Sequence, residues 1–85
     1  MNPLVIIAGG SPAAARTATD ALRAQQNGSP MAAARAARAA RYALEDPQAT
    51  FSADERRVIA EMLDTERGEV LRLRVTADEK AAAVV

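Results

Sequence analysis

The sequence predicts a mainly α protein. Three helices are expected at about 12–26, 30–45 and 53–66, with one or two short strands at about 3–8 and 70–75 and a short C-terminal helix. Three observations carry this expectation. Alanine, the strongest intrinsic helix former, supplies 22 of the 85 residues. Helix-start signals recur as Ser-Pro at 11–12 and 29–30, and as Ser/Thr-x-x-Glu at 52–55 and 76–79. The breakers Gly9-Gly10, Asn27-Gly28, Asp46-Pro47 and Gly68 then cut the chain into segments of helical length. At this size residues 1–85 are expected to form a single small domain.

Each element has its own reason. Pro3–Ala8 is a short run rich in β-branched residues, closed by Gly9-Gly10, and reads as a buried strand or extended arm. Ser11 offers an N-cap and Pro12 fits the first helical position, so helix follows to Gln26, where Asn27-Gly28 stops it. Ser29-Pro30 repeats that start ahead of the alanine- and arginine-rich stretch to Glu45. In the box Ser52-Ala-Asp-Glu55, the serine hydroxyl and the glutamate carboxylate each satisfy a free backbone N–H, and the helix it opens is expected to close at Gly68. Val70–Val75 alternates apolar and charged residues, the period of a half-buried strand. Thr76-Ala-Asp-Glu79 is a second capping box that would start the last helix.

The core is thin. Only 20 residues are large and apolar, including one Phe and one Tyr. The best amphipathic stripe is Val58, Ile59, Met62 and Leu63, which is also the candidate interface for a protein partner. A chain with so little apolar volume is expected to be completed by a partner or by its own copy, as a homo-oligomer.

Composition excludes several chemistries. With no Cys and no His, the chain has no disulfides, no thiolate or imidazole metal site and no histidine general base. Asp54/Glu55 and Asp78/Glu79 sit where helix N-termini favour carboxylates, which explains them without catalysis. Lys80 is the lone lysine, on a helix surface, and Gly9-Gly10-Ser11 lacks the spacing of a phosphate loop. No enzymatic activity, cofactor or metal is therefore expected. No apolar run reaches the roughly 18 residues that span a bilayer, and Leu4–Ala8 lacks the basic flank of a signal peptide, so a cytoplasmic location is expected.

Net charge is zero but unevenly spread. Residues 1–44 carry five Arg against Asp20 alone, a net of +4, and residues 45–85 carry −4. Arg35, Arg38 and Arg41 recur every third residue along one helix, separated by alanines. Such a row suits phosphates or a carboxylate-rich protein surface, because guanidinium groups bind either in a planar, bidentate way. On the expected strand, Arg72 and Arg74 would share one face, opposite Leu71, Leu73 and Val75.

The residues Arg72-Leu73-Arg74-Val75-Thr76 with Asp78-Glu79-Lys80 resemble the strand and first helical turn of ribbon-helix-helix DNA-binding proteins. The resemblance covers residues 69–80 and implies a dimer in which two such strands pair antiparallel, with Arg72 and Arg74 reading the major groove. Residues 3–46 offer another mapping, because their strand–helix–helix order is similar to that fold and 35–46 is similar to its second helix. The leading expectation is a small DNA-associated regulator of the kind carried by phages or mobile elements. Its contacts would come from Arg35, Arg38, Arg41, Arg72 and Arg74. The alternative is an adaptor or inhibitor that docks on a host protein, or a self-assembling structural subunit.

Overall fold

The computed structural model describes residues 2–83. Through them run α1 (Pro3–Ala8), α2 (Pro12–Gln26), α3 (Ala32–Glu45) and α4 (Ala53–Ala83). α3 lies between α2 and α4, which do not touch each other, and α1 packs on all three. The envelope measures 50 × 23 × 22 Å. At about 1.5 Å per residue, the 31 residues of α4 account for nearly all of the long dimension.

The mainly α class holds, and no strand is present among the described residues. Residues 3–8 are helix rather than strand. The Asn2 side chain accepts from the Leu4 N–H at 3.1 Å and Pro3 takes the first helical position. Leu4 and Ile7, one turn apart, are fully buried. Residues 70–75 are also helix. A strand there would have no neighbour to accept its ladder hydrogen bonds, whereas a helix satisfies them internally. Thus α4 does not end near Glu66 or Gly68, and Thr76–Glu79 lies inside it rather than opening a separate helix. Gly68 is held at an ordinary helical φ, at the cost of roughly 1 kcal/mol that glycine carries in a helix interior.

The start signals of α2 and α4 are used as expected. Ser11 Oγ accepts from the Ala14 N–H at 3.1 Å. Ser52 and Glu55 exchange side-chain-to-backbone bonds of 3.1 and 2.9 Å. α3 begins two residues after Pro30, and Ser29 instead caps a turn by accepting from the Met31 N–H. Gly28 takes φ +62°, which lets α2 turn into α3.

Leu4, Ile7 and Ile59 are the largest fully buried side chains, and alanines make up most of the remaining core. Ala14, Ala18, Ala21 and Ala24 of α2 and Ala36, Ala39, Ala40 and Ala43 of α3 are buried along helical stripes. Each contributes little apolar area at about 25 cal/mol per Å², but none holds the helices apart. Leu22, Leu44, Phe51 and Met62 seal the edges.

Two local devices fix the turns. A Cβ on Gly10 would run into the Phe51 ring, so glycine there lets the turn between α1 and α2 lie flat against the segment entering α4. Ser11 also donates to Asp46 at 2.5 Å, tying the start of α2 to the end of α3, while the Gln48 N–H donates to the same carboxylate at 2.9 Å. These bonds, the Ser11 hydroxyl foremost, hold the Asp46 carboxyl below its ordinary pKa.

Gly10→Ala should force the Phe51 ring outward and lower stability by about 1–3 kcal/mol, read from denaturant unfolding. An unchanged midpoint would remove the close approach. Because the folded pKa of Asp46 lies below the unfolded one, its contribution is full above the ordinary carboxylate range. It fades as pH falls through the folded value. Ser11→Ala should lower stability at pH 7 by about 1 kcal/mol through the lost cap and flatten the acid-side decline in Tm. An equally steep decline in the variant would show that Asp46 is not the group involved.

Candidate anion-binding groove

The arginine row of α3 takes its arrangement from helix geometry. Three residues turn a helix by 300°, so each arginine sits about 60° behind the last. Over two steps the row swings from the α2 side of α3 to the α4 side. Arg35 accordingly reaches α2, where it pairs with Asp20 at 3.2 Å. Arg41 lies beside α4, and Arg38, between them, lines the cleft on both sides.

Between α3 and α4 the result is a groove of about 510 Å³ with four arginines on its walls: Arg38 and Arg41 from α3, Arg67 and Arg74 from α4. Its floor is apolar, made by Ala34, Ala37, Val70 and Leu71. No carboxylate lines it. Among the described residues, none of these four arginines makes an ion pair. A smaller cleft of about 300 Å³ continues the basic surface toward α2, bringing Arg16 and Arg35 alongside Arg38, with Asp20 as its lone acid.

The other expected site residues fall elsewhere. Arg72 and Arg74 do not share a face, because two helical steps separate them by about 200°. Arg74 enters the groove. Arg72 points away and donates two bonds to Glu69, at 2.5 and 2.9 Å. That contact, chiefly its hydrogen bonding, pulls the Glu69 carboxyl below its ordinary pKa and pushes Arg72 up. The neighbouring Glu66 is pushed up, first by partial burial and then by the Glu69 charge. The stripe Val58, Ile59, Met62 and Leu63 faces its own chain: Ile59 is fully buried, Leu63 is 9% exposed, and Val58 and Met62 are half-buried.

Arg67 is the site residue that sequence reasoning passed over. It stands seven residues before Arg74, with Leu71 between them, a spacing that shares one face only if 66–75 is helical. Among the described residues no His, Cys, Asp or Glu cluster is arranged to hold a metal ion. No described helix is long and apolar enough to cross a membrane.

Compared with known proteins, the chain matches no family model, no curated protein and no solved structure.

Four uncompensated guanidinium groups on one groove should bind multivalent anions in preference to chloride. Sulfate is therefore expected to raise the thermal midpoint more than chloride at equal ionic strength, and Arg38→Ala with Arg74→Ala should shrink that difference. The single variants should stay within about 0.5 kcal/mol of the parent in chloride. An equal sulfate effect in parent and double variant would assign it to general salt exclusion instead.

Proposed function

We propose that this chain is a small non-enzymatic nucleic-acid-binding protein that grips the phosphate backbone of a duplex through the groove between α3 and α4. The observation that carries the reading is the convergence of Arg38, Arg41, Arg67 and Arg74 on a groove with no carboxylate in its lining. The arginines would neutralise phosphates in place of the cations condensed on the duplex, and release of those counterions drives association. Arg16 and Arg35 extend the track toward α2 and would steer the backbone rather than clamp it.

The groove is lined by no aromatic side chain, so stacking of unpaired bases has no platform. It also presents no Asn, Gln, Ser or Thr to read base edges beside the arginines. Binding would accordingly be tolerant of sequence, with register set by phosphates. The acidic surface elsewhere on the chain confines contact to this face and keeps overall affinity modest, in keeping with a net charge of zero.

A protein partner is the second reading, and a specific observation favours it. Val70 and Leu71 on the groove floor offer apolar area that a phosphate backbone does not use, whereas an acidic amphipathic helix would use both floor and walls.

Fluorescence anisotropy with a mixed-sequence duplex at several salt concentrations tests the proposal. Binding with Kd below about 10 μM at low salt, falling linearly in log salt, is the expected outcome. Alanine at Arg38, Arg41, Arg67 or Arg74 should each reduce the salt slope by about one unit, while Arg72→Ala leaves it unchanged. Leu71→Ser separates the readings, since it should spare duplex binding and weaken an acidic helix. No binding at low salt would end the nucleic-acid reading.

A further inference from the structure

We infer that the outer part of α4 pairs antiparallel with the same segment of a second copy, across a seam formed by Gly68, Leu71, Val75 and Asp78. The inference does not rest on nucleic-acid binding, although Arg67 and Leu71 also line the groove, so a second copy and a ligand in the groove would share them.

Leu71 and Val75 are 60% and 56% exposed, the most exposed large apolar side chains described. Both keep more than half of their surface open, although Leu71 also edges the groove toward α3, beside Arg38 and Arg41. Spacings of 3, 4 and 3 residues place Gly68, Leu71, Val75 and Asp78 within an arc of about 80° on the helix. That is the heptad pattern of a helix–helix seam.

The occupant follows from how charge and size are laid out along this seam. Arg67 flanks its N-terminal end and Asp78 closes its C-terminal end, and neither makes an ion pair among the described residues. A second copy running antiparallel sets Leu71 against Val75 of the other chain, twice. The same register sets Asp78 of each copy level with Gly68 of the other, beside Arg67, again twice. A parallel copy would stack Arg67 on Arg67 and Asp78 on Asp78.

Gly68 supports the same register. Nothing lies within 4 Å of where its Cβ would be, so its own fold has no use for the missing side chain. Glycine nonetheless weakens the helix there by roughly 1 kcal/mol relative to alanine. An opposing carboxylate would use the space. The seam is short, well below the roughly 1,000 Å² that marks a standard interface, so the dimer should be weak, with Kd in the range of tens to hundreds of micromolar.

Sedimentation equilibrium of the intact chain from about 10 μM to 1 mM should show mass rising toward the dimer. Arg67→Asp and Asp78→Arg should each weaken association roughly tenfold, and the two together should restore it through the reversed pair. Gly68→Leu adds a readout that a purely structural role would not give. Circular dichroism melts should show a more stable helix, because leucine is the better helix former, while dimerisation is lost. A chain that remains monomeric at 1 mM overturns the inference. So does a double charge reversal that fails to recover association, or a Gly68→Leu variant that dimerises as before. Duplex binding measured on Asp78→Arg, which leaves all four groove arginines in place, keeps this result separate from the nucleic-acid reading.

Discussion

Two helices that face each other with alanines bring their backbones together, and the gain comes from many weak backbone and methyl contacts rather than from a few large side chains. α3 does this while carrying a neighbour on each side. With α2 and α4 both packed on it and not on each other, α3 has few positions left that bulk would not disturb. Its buried positions 36, 39, 40 and 43 are all alanine. The large residues are spent where the layers end: Leu4 and Ile7 under the short α1, and Ile59 where α4 meets it. Replacing any of the seam alanines by a larger residue would separate helices rather than fill a hole, because interiors of this density have no room to yield.

The same arrangement decides what α3 can present to the outside. A helix flanked on two sides keeps one narrow strip in water, and that strip is the arginine row. The drift of about 60° per step turns a simple three-residue repeat into a division of labour. Arg35 is neutralised by Asp20, Arg38 straddles the helix crest, and Arg41 leans toward α4. The charge imbalance between the two halves of the chain is therefore not cancelled by packing. α4 adds Arg67 and Arg74 on the side it shows to α3, and turns Glu69 and Arg72 toward each other elsewhere.

What the amino-acid order revealed and what it hid have the same physical origin. Caps at Ser11, Ser52 and Glu55 are local, since the group and its partner lie three residues apart, and the helices they open are legible. The segments misread as strands, 3–8 and 70–75, owe their state to the absence of another strand to pair with, a non-local fact that no short window contains. In the structure Asn2 caps α1 and Pro3 takes its first position, a local start signal that the β-branched run behind it masks. The alternation of Val70–Val75 equally fits helical positions on several faces, which is why Leu71, Leu73 and Val75 stay exposed. Arg38, Arg41 and Arg74 were legible as candidates from charge and spacing. Arg67 was not, because its place in the groove depends on α4 running unbroken through Gly68.

The order in which helices touch has a consequence for how the chain reaches this state. α1 packs on α2, α2 on α3 and α3 on α4, so most contacts join segments adjacent in sequence, and only α1 reaches past its neighbour to α3 and α4. Low contact order of this kind shortens the search, because small loops close before larger ones are needed. Leu4, Ile7 and Ile59 belong to one buried cluster, so α1, barely two helical turns long, joins one end of the chain to the far side of the fold.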